Sequence, residues 1–252
     1  MTQPIIRFEG ASKSFGGQVV LQELDLDVAP GEFLTIIGRS GCGKTTALRL
    51  VNGLLAPDAG RVLVQGRDVA GCDPAVLRRG IGYAIQGVGL FPHMTVEKNI
   101  AYVPSISGLD GWKGAERREK AAELLKSVGL DPDLAGRYPR SLSGGQRQRV
   151  GIARALAAGP EILLMDEPFG AVDEITRGQL QDEILRIHER SGITILFVTH
   201  DIGEALKLGT RTLVLEAGRI EQCAPPSQIL QAPATAFVEQ LVCRSRDFQM
   251  RA

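Results

Sequence analysis

The sequence predicts an α/β fold with a mostly parallel sheet, an antiparallel β subdomain at the N-terminus and a helical subdomain. The first observation is a set of short apolar runs rich in aliphatic and β-branched residues: FLTIIG (33–38), IGYAIQ (81–86), ILLMDE (162–167) and ITILFVTH (193–200). Such runs are typical of strands buried on both faces, as in a parallel sheet under helices. The other observations are alternating strands at the N-terminus and a helical pattern between the second and third runs.

The remaining elements follow from local patterns. Three alternating segments predict antiparallel strands: IIRFEGASKSF, VVLQELDLDV and GRVLVQGRDV (60–69). Residues 115–130 are rich in Ala, Leu, Glu and Lys and predict a helix that Gly129 and Pro132 stop. The apolar spacing in residues 174–192 predicts another helix. Each of the four apolar runs ends in a glycine or a polar residue. We therefore expect functional side chains at one sheet edge, where open α/β sheets bind ligands.

The composition argues against several functions. Lysine plus arginine and aspartate plus glutamate each number 29 in 252 residues, so the net charge does not favour binding to nucleic acid or an anionic membrane. The four scattered cysteines form no CxxC pair, which is typical of reduced thiols in a cytosol. The sequence shows neither a signal peptide nor a run of about 18 apolar residues that would span a bilayer. We expect a soluble cytosolic protein.

A phosphate-binding loop follows the first apolar run. The segment GRSGCGKT matches G-x-x-x-x-G-K-[ST] and lies between a predicted strand and a predicted helix, as in P-loop nucleoside triphosphatases. Backbone N–H groups of such a loop surround phosphates, Lys44 would meet the β- and γ-oxygens, and Thr45 would offer a hydroxyl to Mg²⁺. The predicted nucleotide-binding residues are Gly38, Arg39, Ser40, Gly41, Cys42, Gly43, Lys44, Thr45 and Thr46.

Other strand ends carry side chains suited to phosphate chemistry. Asp166 follows ILLM directly, where a carboxylate would bind Mg²⁺ in a Walker-B arrangement, and Glu167 points the other way if the strand continues. Glu167 would then act on the attacking water. His200 would hydrogen-bond the γ-phosphate and Gln86 would reach Mg²⁺ or water. Phe15 would stack on adenine. Each residue also has a structural alternative. The two carboxylates could form an acidic turn that caps the strand, His200 could be a structural histidine with its hydrogen bonds made inside the fold, and Phe15 could be a core residue.

A second glycine pair lies in SLSGGQRQRV (141–150). Ser143 and Gln146 have the spacing of a capping box for a following helix. Two glycines at the first helical positions lower helix stability, which makes sense if a ligand phosphate approaches the backbone closely. A merely capped helix is the structural alternative.

The ordered motifs resemble those of the ATP-binding cassette ATPases of ABC transporters over essentially the whole chain. LSGGQRQRV, ILLMDEP, AVD (171–173) and TH (199–200) all follow GRSGCGKTT and Gln86. In that family two cassettes pair head-to-tail, and the signature loop of one closes over the γ-phosphate that the other holds. The resemblance implies an ATP- and Mg²⁺-dependent hydrolase that works as a homodimer, with each ATP contacted by phosphate and signature loops from different subunits.

The resemblance also implies a role for each matching residue. Glu167 is the general base, Gln86 the Q-loop glutamine and His200 the switch histidine. Val172 replaces the commoner leucine of the D-loop, and Arg39 replaces a frequent proline. The further nucleotide contacts are Phe15 and Val20 at adenine, Ser143, Gly144, Gly145 and Gln146 in the signature, and Asp173 in the D-loop.

The stretch 81–112, with the single Trp112, resembles ATPases of importers for glycine betaine, choline and carnitine, as do MDEPFGAVDEITR and FVTHDIGEALKLG. Gly87 departs from that subgroup, which often has a second glutamine there. Members of this importer subgroup often carry regulatory cystathionine-synthase-type domains after the cassette, and we expect none in this chain. The alternatives are an importer of another solute and, from a different class, an ABC protein acting on nucleic acid or ribosomes, against which the neutral net charge argues.

The expected architecture is a single ABC ATPase domain over 1–252, with a helical subdomain at 88–158 that carries the signature and a strand and helix extension at 205–252. The resemblance implies a peripheral protein at the cytoplasmic face of the inner membrane. Its partners would be permease subunits and, indirectly, a solute-binding protein, with no nucleic acid. The segment around Phe91, His93 and Met94 is expected to face the permease.

Overall fold

The computed structural model describes residues 3–87, 89–110, 112–170 and 172–249, with only the backbone described for 244–249. Val88, where the predicted helical subdomain begins, and Ala171 of the predicted D-loop lie outside the described residues. The strands within the described ranges are β1 Ile6–Phe15, β2 Gln18–Val28, β3 Phe33–Ile37, β4 Ala59–Val64, β5 Arg67–Asp68, β6 Ile81–Ala84, β7 Ile162–Asp166, β8 Thr194–Thr199, β9 Arg211–Glu216 and β10 Arg219–Ala224.

Ten α-helices occur in the same ranges. They are α1 Lys44–Val51, α2 Pro74–Arg79, α3 Val96–Ile100, α4 Tyr102–Ile106, α5 Gly114–Ser127, α6 Gly144–Leu156, α7 Glu174–Ser191, α8 Ile202–Leu208, α9 Pro226–Gln231 and α10 Ala236–Gln249. The four apolar runs form β3, β6, β7 and β8, and every residue of β3, β7 and β8 is buried. These strands confirm the prediction from apolar run length.

Contacts along the chain divide it into two compact units. The discontinuous unit comprises the residues up to Leu77 and those from Thr194 onward, and the central unit is Arg78–Ile193. In the discontinuous unit β3 lies between β8 and β9 and is parallel to both, and β10 pairs antiparallel with β9. Because Ile37 pairs with Thr199, β3 and β8 end at the same level. The residues that follow these two strands therefore emerge at one sheet edge.

The N-terminal strands form a separate antiparallel sheet in the order β2-β1-β4-β5. The single strand predicted over 60–69 is wrong, because this segment is a hairpin with a two-residue turn at Gln65 and Gly66. Both turn residues have positive φ, +51° and +74°. This backbone matches the twist of the flanking strands in a two-residue hairpin. The alternating pattern continues through the turn, which is why it does not reveal the break.

The C-terminal segment of the discontinuous unit packs on the parallel strands. A buried cluster joins β3, α8, β9, β10, α9 and α10 through Ile37, Ala205, Val214, Ala224, Ile229, Val238 and Val242. Full burial of a Val or Ile side chain stabilises a fold by about 1.5–3 kcal/mol. The cluster thus holds α8 against the end of β3. The strand β9, buried over most of its length, is a parallel strand that the sequence analysis did not name.

In the central unit β6 and β7 pair in parallel, from Ile81 with Ile162 to Ala84 with Met165. The predicted helices form as α5 and α7. A glycine with positive φ follows each of them, Gly129 at +65° and Gly192 at +64°, as expected for a left-handed helix end. The subdomain bounds 88–158 differ from those of the central unit and stay a prediction. No helix in the described part of the chain has the length and apolarity needed to cross a membrane.

Candidate active site

The phosphate loop turns β3 into α1 through residues in the left-handed region. Gly41 has φ +81° and Gly43 has φ +106°, a conformation in which any side chain is strained. A Cβ at Gly43 would lie 2.6 Å from Leu21 Cδ2 and 2.7 Å from the carbonyl oxygen of Val20. The first amides of α1 have no intrahelical acceptors, and they carry the positive end of the helix dipole. The loop therefore has the features of an anion site.

Gly38 fixes the other end of the loop. A Cβ at this position would collide with the carbonyl oxygen of Leu215 on β9 and lie 2.6 Å from Cys42 Sγ. Only glycine allows this approach of two backbones. The sequence predicts Gly38 from the motif, but the contact with Leu215 depends on a strand that is distant in sequence.

The Lys44 side chain folds back over the loop. The residue is 6% exposed, and its ammonium group donates to the carbonyl oxygens of Gly38 at 2.7 Å and Arg39 at 2.9 Å. Both acceptors are neutral, so neither cancels the positive charge. Burying a charge is costly unless an opposite charge or strong hydrogen bonds offset it. An anionic ligand at the loop would supply that opposite charge.

Cys42 lies against the same ammonium group, 3.9 Å from Sγ to Nζ. The thiol is buried, and burial raises the pKa of Cys42 although the nearby Lys44 cation opposes the shift. Burial has the larger effect, so Cys42 is a protonated thiol at neutral pH.

His200 directly follows β8 and is exposed, between the buried Thr199 and the half-buried Asp201. Because β3 and β8 end at the same level, His200 and the phosphate loop follow strands that end at one edge of the discontinuous unit. This arrangement agrees with the prediction from the strand ends.

Phe15 lies at the end of β1 and is 46% exposed, so the core alternative for this ring is wrong. The ammonium group of Lys13 lies 5.7 Å from the ring centroid and pairs with Asp58 at 2.5 Å. A cation near an aromatic face is attracted to the ring. Val20 brings its carbonyl group against Gly43, which places one predicted adenine contact beside the phosphate loop.

In the central unit Asp166 ends β7 and is 1% exposed. Its carboxylate accepts a hydrogen bond from the Tyr83 hydroxyl at 3.4 Å. Tyr83 was missed by the sequence analysis, although it is the only side-chain hydroxyl in the apolar run 81–86. A hydroxyl in a buried strand needs a hydrogen-bond partner, and that need is the signal by which the sequence could have indicated Tyr83.

Glu167 has φ +48°, so the strand does not continue past Asp166 and the alternation argument for the direction of Glu167 is wrong. A non-glycine residue in the left-handed region is strained, and such strain concentrates at functional sites. The Gln86 side-chain amide donates to the Glu167 carboxylate at 3.2 Å. The structure thus joins the two residues that the sequence placed on separate strands. A metal contact of Gln86 stays a prediction.

The signature segment caps α6 in the way its spacing predicts. Ser143 Oγ accepts a hydrogen bond from the backbone N–H of Gln146 at 3.1 Å, and Gln146 Oε1 accepts one from the backbone N–H of Ser143 at 2.9 Å. The capping box is therefore confirmed. It leaves Gly144 and Gly145, which have no side chains of their own, at the first two helical positions.

Asp173 caps α7 by accepting from the Thr176 amide at 3.0 Å. This backbone hydrogen bond, with a smaller contribution from the Arg149 cation on α6, holds the pKa of Asp173 below its usual value. Arg149 also donates to the Gly129 carbonyl at 2.7 Å. Arg149 is not evident from the sequence, because its partners Gly129 and Asp173 lie about 20 residues away on either side.

Comparison with known proteins agrees with this geometry. A family model described as ABC transporter matches residues 21–170. The chain is 48% identical to the glycine betaine/carnitine/choline transport ATP-binding protein OpuCA of Bacillus subtilis, over 98% of this chain and 64% of that protein. It is 46% identical to the glycine betaine uptake system ATP-binding protein YehX of Escherichia coli, over 96% of this chain and 77% of that protein.

Two further similarities bear on function. The chain is 49% identical to the sulfate/thiosulfate import ATP-binding protein CysA of Caulobacter vibrioides, over 92% of this chain and 68% of that protein. It superposes with a TM-score of 0.81 and 33% identity on a dimeric ATP-binding cassette in a post-hydrolysis state bound to ADP and Pi, over 88% of this chain and 98% of that chain. The chain spans 64% of the length of both Bacillus subtilis relatives for betaine and choline transport.

Cys42 should react with iodoacetamide more slowly than the exposed Cys243 at pH 7, because Cys42 is buried and burial raises the pKa of its thiol. The thiolate is the reactive form. Because the pKa of Cys42 is raised, its labelling rate should still increase with pH above about 8.5, the ordinary thiol pKa. Peptide mass spectrometry after labelling at several pH values measures both rates. An adduct on Cys42 should abolish ATP binding, and saturating MgATP should slow its formation.

Labelling in urea is the control, since unfolding should remove the difference between the two thiols. Equal rates in the folded protein, or full modification of Cys42 with ATP binding intact, would contradict the placement of this side chain.

Proposed function

This chain belongs to the ABC transporter family, and we propose that it is the ATP-hydrolysing cassette of an importer. The observation that carries the proposal is the phosphate loop, in which a buried Lys44 ammonium donates to the neutral carbonyl groups of Gly38 and Arg39 and lies 3.9 Å from the Cys42 thiol. A triphosphate at the loop would balance that charge and accept hydrogen bonds from the first amides of α1. The Walker-type carboxylates and the signature segment supply the other groups that ATP hydrolysis needs.

Mg²⁺ is proposed as the metal, held by the Thr45 hydroxyl and the Asp166 carboxylate. Both groups are hard oxygen donors, which Mg²⁺ prefers, and it usually keeps waters and phosphate oxygens as its remaining ligands. The metal would neutralise the charge that develops on the phosphates. Tyr83 orients Asp166 through its hydroxyl hydrogen bond.

Glu167 is proposed as the general base that accepts a proton from the attacking water. Its left-handed backbone and its hydrogen bond from Gln86 restrict the direction of the carboxylate. Such preorganisation lowers the cost of orienting a base during the reaction. His200 is proposed to hydrogen-bond the γ-phosphate, and Phe15 and Val20 to contact adenine.

We propose that two copies pair head-to-tail, so that Ser143, Gly144, Gly145 and Gln146 of one copy and its Asp173 complete the site on the other. The helix start at Gly144 and Gly145 supports this proposal, because the first amides of a helix have no intrahelical acceptors and favour an anion. The similar cassette bound to ADP and Pi is a dimer.

The proposed solute class is the quaternary amines, such as glycine betaine, choline and carnitine. The transport proteins for these compounds match 96–98% of the chain at 44–48% identity. A sulfate or thiosulfate importer is the second candidate, because the CysA protein reaches 49% identity over 92% of the chain. In this proposal the permease and the solute-binding protein select the solute, so transport measurements with those partners separate the two candidates.

The proposed partners are integral permease subunits and, through them, a solute-binding protein. The cassette would then work at the cytoplasmic face of the membrane as a peripheral subunit. The segment around Phe91, His93 and Met94 supports a permease contact. His93 is exposed, and Phe91 packs on Tyr102 with ring centroids 4.7 Å apart. The Asn99 side chain binds the backbone of this segment at several points, which holds it in one shape.

Replacing Glu167 with glutamine should preserve MgATP binding and lower kcat by about 10²–10⁴-fold, or roughly 3–5 kcal/mol in the barrier, because the amide cannot accept the proton. Lys44→Ala should instead abolish measurable binding, since it removes the cation at the phosphates. Fluorescent ATP titration and phosphate release measure the two effects. The exposed Glu189→Gln is the matched control and should behave as wild type. Near-normal turnover of Glu167→Gln would remove the general-base role.

Co-reconstitution with candidate permease and solute-binding subunits from the same organism tests the solute class. The ATPase rate in vesicles should rise several-fold when glycine betaine, choline or carnitine is added with the binding protein, and sulfate should have no effect. Vesicles that carry Glu167→Gln are the background control. Stimulation by sulfate alone would support the second candidate and contradict the first.

A further inference from the structure

We propose that Glu204 is a positioning residue for His200. Glu204 lies on α8 and is 7% exposed, and none of the functional roles above uses it. The inference rests on the proposed function, in which His200 contacts the γ-phosphate, and goes beyond it by naming the group that sets the direction of the histidine.

The contact that carries the proposal joins Glu204 to the residue before His200. Thr199 Oγ1 donates to Glu204 Oε2 at 2.6 Å, and both residues are buried. A hydrogen bond to a carboxylate is shorter and stronger than one between neutral groups. Thr199 is the last residue of β8, so this bond fixes the side chain at the point where the backbone leaves the strand.

The same hydroxyl also holds the residue after His200. The Asp201 amide donates to Thr199 Oγ1 at 3.0 Å. The Asp201 carboxylate in turn accepts from the amides of Gly203 at 2.7 Å and Glu204 at 3.2 Å, which caps α8. His200 is thus an exposed residue between two neighbours that these hydrogen bonds restrain. Glu204 accepts one of the bonds at the buried side of the turn.

The helix that carries Glu204 is itself tied to the strand that leads into the phosphate loop. Thr35 Oγ1 on β3 donates to the Ala205 carbonyl at 3.0 Å and lies 2.9 Å from Thr212 Oγ1. Thr35 and Thr212 are both fully buried. Gly209 follows α8, and its lack of a side chain allows this contact, because a Cβ there would lie 2.6 Å from Thr35 Oγ1. The two ties therefore relate the turn at His200 to the strand before the phosphate loop.

Packing alone does not account for a carboxylate at position 204. Its neighbour Ala205 belongs to a buried apolar cluster with Ile37, and Ile202 and Leu206 pack against that cluster. An apolar residue would be easier to bury at such a site, because a buried carboxylate costs free energy unless its hydrogen bonds are made. Thr199 supplies one of these bonds. We infer that the position needs an acceptor for the Thr199 hydroxyl.

The test compares three variants of the whole chain in steady-state ATP hydrolysis. Glu204→Ala should lower kcat by about 10- to 100-fold while the KM for ATP changes less than about threefold, because a misplaced histidine affects the reaction more than binding. Glu204→Gln keeps an acceptor oxygen for Thr199 and should restore kcat to within about threefold of wild type. Thr199→Val should resemble Glu204→Ala. Glu189→Gln, an exposed change on α7, should have wild-type kinetics.

A double-mutant cycle with His200→Ala separates positioning from general stabilisation. If Glu204 acts through His200, then Glu204→Ala should change the residual kcat of His200→Ala by less than about twofold. A loss of the same factor in both backgrounds would overturn the proposal, and so would wild-type kcat in Glu204→Ala. Thermal unfolding of each variant shows whether Glu204→Ala folds. If Glu204→Ala does not fold, the kcat of Glu204→Gln is compared with that of Thr199→Val instead. In that case, a kcat for Glu204→Gln as low as that of Thr199→Val would overturn the proposal.

The proposed function is tested separately by the single variant His200→Ala. Full activity of that variant would remove the role of His200 itself and with it the proposal for Glu204. A second outcome is that His200→Ala loses activity, while Glu204→Ala has wild-type kcat or lowers kcat by the same factor in both backgrounds. That outcome would leave the proposed function standing and reject only the positioning role.

Discussion

The close approach of backbone at both ends of the phosphate loop is the constraint on which the rest of the site depends. Gly38 lies against the carbonyl group of Leu215 on β9, and Gly43 lies against Val20 on β2. The loop is thereby held by two sheets of the discontinuous unit, and the Lys44 ammonium folds back onto the carbonyl groups it encloses. A loop held this way keeps its amides directed at a ligand before the ligand arrives, which is the condition for electrostatic preorganisation.

Much of the fold follows from the sequence because burial on both faces leaves a strong pattern. The runs that became β3, β7 and β8 show it, and so does the capping box at Ser143. Features that depend on one backbone angle do not. The left-handed φ of Glu167 ended the strand one residue before the alternation argument assumed. Contacts between distant segments, such as Tyr83 with Asp166, are not encoded in local periodicity and appear only once strands pair.

Several residues proposed to contact nucleotide also hold the local structure together. Ser143 and Gln146 cap α6, and Asp173 caps α7. The loss of a helix cap costs about 1 kcal/mol, so a substitution at these positions changes stability as well as any contact with ATP. This double use decides how the site should be probed. Ser143→Asp keeps a capping oxygen and places a negative charge where a phosphate would bind, whereas a larger residue would disturb both features.

The central claim is that this chain carries two half-sites that serve one ATP only across a pair of copies. ATP occlusion in a purified mixed dimer tests it most directly, on a Glu167→Gln background in which hydrolysis is slow. One copy carries Lys44→Ala and the other carries Ser143→Asp, so one site receives both defects and the other receives none. The account predicts about one occluded ATP in each mixed dimer and none in either homodimer. A mixed dimer that forms but occludes no ATP would contradict the account.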